Sequence, residues 1–204
     1  MKILGPIALA SVEPVPWKNG GGTTRTLAVA PEDAGLDNFQ WRVSMAQIDA
    51  SGDFSAFPGV DRTILLWRGG GVLLQSPQWP EHALTEPLLP FYFRGEDEVV
   101  CRLPGPAAMD LNLMVRRGGA KASLSCHAAA VEFLAPCEEL LVLCAAGSVR
   151  VLLPGCAETI LAADQLLRVD QVPAGSRIIP GGDEARFVCV TVSGEPQPAV
   201  LAAS

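Results

Sequence analysis

Residues 40–48 read Gln40-Trp41-Arg42-Val43-Ser44-Met45-Ala46-Gln47-Ile48. Apolar and polar side chains alternate here, and successive side chains of a β-strand point to opposite faces of a sheet. Trp41, Val43 and Met45 therefore share one face, and Arg42, Ser44 and Ala46 share the other. Asp110-Leu111-Asn112-Leu113-Met114-Val115-Arg116 repeats the pattern. Leu111, Leu113 and Val115 fall on one side, with Asp110, Asn112, Met114 and Arg116 on the other. The composition from Ala107 onward would also suit a helix, but Pro104 and Pro106 stand just ahead of it and the alternation predicts a strand. Outward from these two segments, strand-like runs at 63–67, 72–75, 99–103, 122–126, 131–134, 140–144, 148–153, 165–169 and 187–192 are separated by turn signals such as Gly52-Asp53, Pro58-Gly59 and Gly69-Gly70-Gly71. No segment carries a helical stripe longer than two turns. Short strands with turns between them define an all-β sandwich or barrel.

Composition agrees. The chain has 204 residues, 49% hydrophobic and 18% charged, with 20 glycines and 17 prolines. That is enough apolar material for a core, and enough chain breakers to disfavour long helices. The length allows one large domain or two small ones. The polar motifs crowd into the first half, whereas the second is mostly Leu, Val and Ala runs with turns. Two β units are expected: residues 1–118 carrying the chemistry and residues 119–204 built for packing. Arg168, in the plainer half, is expected to be replaceable by Ala without effect on binding or folding.

The net charge of −7 provides no basic field for phosphates, so no nucleic-acid partner is expected. No run approaches the ~20 apolar residues of a membrane span. Residues 3–10 imitate a secretory signal but are too short and are broken by Gly5-Pro6, so a first strand is expected there. Cysteines at 101, 126, 137, 144, 156 and 189 form no close pair. They read as buried free thiols in a reduced, cytoplasmic protein rather than as zinc ligands.

Four constellations carry chemistry. Pro16-Trp17-Lys18-Asn19-Gly20-Gly21-Gly22-Thr23-Thr24-Arg25 joins three glycines to a polar flank. Glycines let backbone N–H groups approach an anion, with Lys18 and Asn19 as added donors. The P-loop spacing is absent, and a turn between strands needs no ligand to explain it. The faces bearing Arg42 with Ser44, and Asp110 with Asn112 and Arg116, either meet water or line the lumen of a barrel, where they need partners. Two such strands in one half favour a lined cavity into which both Arg42 and Arg116 point. In the fourth, 52–62, Phe54 and Phe57 read as core residues, and Arg62 either pairs near Asp61 or reaches the cavity. Only two histidines occur, His82 and His127, without metal-binding spacing, and no nucleophile elbow is present. A cluster rich in Arg, Lys and Asn suits the holding of a carboxylate.

Taken together, PWKNGGGTTR, WRVSMAQI, GDFSAFPGVDR and GPAAMDLNLMVRRG resemble the HutD family, which includes the Ves proteins. The resemblance covers most of residues 12–118. It implies a bicupin, two packed RmlC-like β-barrels with few short helices, without the metal-binding histidines usual in cupins. It also implies an association with histidine utilisation, and a first-barrel pocket for a small acidic metabolite such as formylglutamate or urocanate. The chain departs from the family pattern at Thr26, where an acidic residue often follows the Arg.

The resulting expectation is a binding protein with no metal and no cofactor, in a sensing or regulatory role. Lys18 and Arg42 would take the carboxylate, and Asn19, Ser44 and Asn112 would add hydrogen bonds. Arg62 and Arg116 would serve as second anchors or as partners of Asp110. One alternative is a metal-free cupin isomerase or hydrolase with Asp110 as the acid–base group. Another is a structural subunit that forms a homodimer through exposed strands.

Overall fold

The two alternating segments do form strands, and they lie side by side, with Asn112 opposite Ser44. The computed structural model describes residues 1–193. Residues 194–204, the end of the expected second unit, lie outside the described residues. In chain order the strands are β1 (Lys2–Ala8), β2 (Val15–Pro16), β3 (Gly22–Ala30), β4 (Trp41–Ile48), β5 (Gly52–Asp53), β6 (Val60–Gly69), β7 (Val72–Ser76), β8 (Trp79–Leu84), β9 (Phe91–Arg94) and β10 (Val100–Arg102). They continue as β11 (Ala108–Arg116), β12 (Lys121–His127), β13 (Val131–Phe133), β14 (Cys137–Ala146), β15 (Ser148–Leu152), β16 (Thr159–Ala162), β17 (Gln165–Val172), β18 (Ser176–Pro180) and β19 (Arg186–Ser193). One 3-10 turn, Leu9–Ser11, is the sole helical element among the described residues.

The strands build four antiparallel sheets, ordered β5-β10-β7-β8, β2-β3-β4-β11-β6-β9, β1-β17-β14-β19-β12 and β13-β18-β15-β16. Buried side chains show how they stack. Ile64 and Leu66 of β6 meet Val72, Leu74 and Cys101 inside the first unit. Leu140, Val142 and Leu167 meet Val149, Val151 and Ile178 inside the second. Between the units, Trp41, Val43, Met45, Leu111 and Leu113 pack against Leu141, Leu143, Leu166, Val188 and Val190. This is the bicupin arrangement, with the two larger sheets back to back. The continuous apolar run of β14 follows from burial on both faces.

The division at 118/119 falls in the turn between β11 and β12, but β1 crosses it. Its residues pair with β17, Ile3 opposite Val169 and Ile7 opposite Leu166, so the chain begins on the sheet of the second half. Gly5 makes this possible. Its φ is +120°, and a Cβ there would come within 2.6 Å of the Leu166 carbonyl oxygen. Pro6, which lacks an N–H, is tolerated because β1 is an edge strand.

Polar links also close the seam. Trp67 Nε1 donates to Asp164 Oδ1 at 3.1 Å, and Arg68 pairs with Asp164 at 2.6 Å. Arg168, expected to be inert, pairs with Glu139, lies 3.6 Å from Asp170 and sits 5.9 Å from the Trp41 ring centre. It is a seam residue, because β17 presents it opposite Leu141 at the contact between units.

All four tryptophans, Trp17, Trp41, Trp67 and Trp79, lie in the first half, but Trp41 and Trp67 touch the second half at the seam, so a Trp41→Phe/Trp67→Phe background is used, in which Trp17 and Trp79 report the first half alone. Leu143→Ala, in the second half, should destabilise the chain by about 2–5 kcal/mol, as for other buried leucines. In urea it should move the tryptophan transition and the far-UV circular dichroism transition together. A tryptophan midpoint that stays put would mean that the halves unfold independently.

Candidate functional site

The inward face of the six-stranded sheet forms the floor of a cavity of about 680 Å³ in the first unit. Strand register sets its pattern. Met114 stands opposite Arg42 on β4 and Arg62 on β6; Asn112 stands between Ser44 and Ile64; Asp110 stands between Ala46 and Leu66. Thr24 and Thr26 extend the floor onto β3. Trp17, Lys18 and Asn19 rise on one side, and Phe54, Ser55 and Phe57 on another. Seven of the eight expected site residues, Lys18, Asn19, Arg42, Ser44, Arg62, Asp110 and Asn112, thus line one cavity.

Arg116 does not. Its Nε donates to the Phe39 carbonyl and its Nη2 to the Asp37 carbonyl, both at 3.0 Å, and its guanidinium lies over the Phe39 ring. It has the inward parity of Asp110 but is the last residue of β11, where the 31–40 loop rather than the lumen meets it. Parity along a strand gives the face and not the depth.

The glycine turn acts through geometry. The Gly21 N–H donates to Asn19 Oδ1, and Trp17 N donates to the Gly22 carbonyl. A Cβ at Gly22 would lie 2.1 Å from the Gln47 carbonyl oxygen. The glycines thus let the turn close against β4 and hold Lys18 and Asn19 at the cavity mouth. Trp17 is fixed by donation from Nε1 to Thr24 Oγ1 at 2.7 Å.

The two guanidinium groups in the floor form no salt bridge among the described residues. Arg42 donates to Thr26 Oγ1 at 2.8 Å and Ser44 Oγ at 3.3 Å, and burial lowers its pKa. Arg62 is only 7% exposed. It donates to the Ser55 carbonyl at 3.5 Å and lies over the rings of Phe93, Phe54 and Phe57 at 4.8, 5.2 and 5.8 Å. Burial brings its pKa down to about 10. Phe54 and Phe57, expected as core alone, therefore also line the cavity and face a cation. Thr26 emerges as a site residue through its bond to Arg42.

Asp110 is 4% exposed, and its Oδ1 has no hydrogen-bond partner. Burial pushes its pKa up to about 7, against the opposing pull of Arg62 and the Ala46 N–H. Asn112 likewise leaves Oδ1 unpartnered. His82 stacks on Phe91 and His127 bonds to Ser125, both away from this cavity. Among the described residues no three His, Cys, Asp or Glu side chains converge as metal ligands. Buried Asp110 and exposed Asp53 are the cavity's carboxylates, and beside two guanidinium groups they do not make the oxygen-rich cage of a divalent cation. In the second unit the corresponding lumen is filled by Leu140, Val142, Cys144, Phe187 and Cys189.

Two back-to-back cupin units, one with a cationic polar lumen and one with a packed apolar lumen, define a bicupin whose polar cavity lies in the first unit. The HutD family model matches residues 9–184, and the chain belongs to that family. It is 44% identical over 103 residues to an uncharacterised 21.2 kDa protein of Pseudomonas putida encoded in the hutC 3′ region, and 41% identical over 109 residues to protein Ves of Citrobacter koseri. Those matches cover 49% and 53% of this chain, and span about half the length of the relatives, 52% and 56%. The structure of HutD from Pseudomonas fluorescens SBW25 is similar over 92% of this chain and 96% of that one, with 30% identity and a TM-score of 0.79. Oxalate decarboxylase from Lactobacillus farciminis shares the fold at 8% identity and a TM-score of 0.59, covering 92% of this chain and 86% of that one. Family membership links the chain to histidine utilisation.

The buried Asp110 has a pH consequence. Its folded pKa of about 7 lies above the ordinary 3.8. Below pH 4 both folded and unfolded chains hold the proton. Between about pH 4 and 7 the unfolded chain releases it and the folded one does not, so stability falls as pH rises. Asp110→Leu should remove a loss on the order of a few kcal/mol. The gap in unfolding free energy between variant and native protein should widen from pH 4 to 7. A constant gap would show that Asp110 is ionised throughout.

Proposed function

We propose that the first-unit cavity binds a small carboxylated metabolite without a metal, in a sensing or regulatory role in histidine utilisation. Formylglutamate and urocanate are the candidate ligands. The observation that carries the reading is the pairing of Arg42 and Arg62 across Met114, with no carboxylate bound to either. Burying two unneutralised guanidinium groups costs stability, and an anionic ligand offsets that cost. Thr26 and Ser44 orient Arg42, the three phenyl rings hold Arg62 in place, and Lys18 at the mouth draws anions inward.

A second reading has one observation in its favour. A carboxyl group poised near neutral pH, as Asp110 is, suits general acid–base work. Turnover of formylglutamate or urocanate by the purified protein, abolished in Asp110→Asn, would establish an enzyme.

Binding is tested by native mass spectrometry for a co-purified acid and by calorimetry with the two candidates. A charge-assisted hydrogen bond contributes roughly 1.5–3 kcal/mol. Arg42→Ala should therefore weaken binding by about 10–150-fold while the protein stays folded, because Arg42 is only partly buried. Affinity unchanged in Arg42→Ala, or no binding of either acid, would overturn the proposal.

A further inference from the structure

A cavity that only holds anions gains nothing from a carboxylate in its floor. Asp110 is nevertheless there, almost completely buried, bridged to neither Arg42 nor Arg62, and with Oδ1 unpartnered. Asn112, 8% exposed, adds a second unpartnered acceptor one inward position along the same strand. Buried acceptors without donors are costly to keep.

The register separates these acceptors from the cations. Arg42 and Arg62 flank Met114, Asn112 lies one inward step away, and Asp110 lies two. An inward step is two residues, roughly 6.6–6.8 Å along a strand. The floor is thus graded, cationic at one end and hydrogen-bond accepting at the other. Leu66 and Ala46 beside Asp110 supply no side-chain donor.

We infer that the ligand is an acid that also carries an N–H donor, with its carboxylate in the Arg42–Arg62 row and its N–H directed at the Asp110–Asn112 pair; this rests on the carboxylate reading above. The two groups are separated by about one inward step or less. The raised pKa of Asp110 fits an acceptor whose donor arrives with the ligand, since a donated hydrogen bond favours the ionised carboxylate. Simple aliphatic acids would satisfy the arginines and leave the acceptors bare.

Calorimetry with two isosteric pairs tests this. N-formylglutamate is compared with 2-formyloxyglutarate, in which an ester oxygen replaces the N–H. Urocanate is compared with 3-(furan-3-yl)acrylate, whose ring has no N–H. In each pair the donor-bearing member should bind about tenfold tighter or more. Asp110→Leu should shrink that preference and raise the thermal midpoint, because an unpartnered buried carboxylate is gone. Asp110→Asn, which keeps an acceptor, should retain the preference. Asn112→Leu is the second variant should Asp110→Leu not fold, and it too should shrink the preference. Equal affinities within both pairs overturn this inference and leave the carboxylate reading standing. A preference that survives both leucine variants places the donor elsewhere and overturns it as well. If no member of either pair binds, the carboxylate reading falls and takes this inference with it.

Discussion

The apolar seam between the two larger sheets is the contact on which the rest of the molecule depends. Trp41, Val43, Met45, Leu111 and Leu113 meet Leu141, Leu143, Val188 and Val190 there, and both cupin units are one-sided without it. Burial of such side chains contributes roughly 1.5–3 kcal/mol each. Once one face of β4 and β11 is committed to the seam, strand geometry sends the other face into the first lumen. Arg42, Ser44, Asp110 and Asn112 are inside because their neighbours in sequence are held in the seam. The candidate site and the stabilising seam thus occupy opposite faces of the same strands.

The two lumens show what that commitment allows. In the second unit the inward positions of β14 and β19 are Leu140, Val142, Cys144, Phe187 and Cys189, and the space is filled. In the first unit the equivalent positions carry two guanidinium groups, a carboxyl and an amide. Desolvation acts on each: the arginines are driven toward losing a proton and the aspartate toward keeping one. A protein selected for stability alone would fill this lumen as it fills the other. The packed second unit and the seam hold rigid a first unit whose interior is costly.

The oxalate decarboxylase likeness is a likeness of fold at 8% identity. In this chain the inward positions of the large sheet present arginine, asparagine, serine and aspartate, and both histidines lie outside the cavity. The fold supplies a rigid barrel wall, and the side chains at inward positions decide what it holds.

Much of this was legible in the sequence. Alternation at 40–48 and 110–116 identifies the strands and their polar faces, because side-chain parity is a local property of extended backbone. The motif set identifies the family, parity put Arg42, Ser44, Asp110 and Asn112 on faces that line the cavity, and the glycine-rich segment pointed to Lys18 and Asn19. Other features depended on contacts between segments far apart in the chain. Arg116 has the right parity, but its depth is fixed by the 31–40 loop, which captures its guanidinium. Phe54 and Phe57 look like core residues until Arg62 is placed over their rings. Arg168 lies in a plain stretch, and only the pairing of β17 with β14 brings it to Glu139 and beneath Trp41. The first strand belongs to the second unit because Gly5 lets it approach Leu166. The sequence alone determined which side chains share a face, since that depends on neighbouring residues. Tertiary structure decided which faces meet, how deep each group lies and which charges go unpaired, since those depend on strand register and burial.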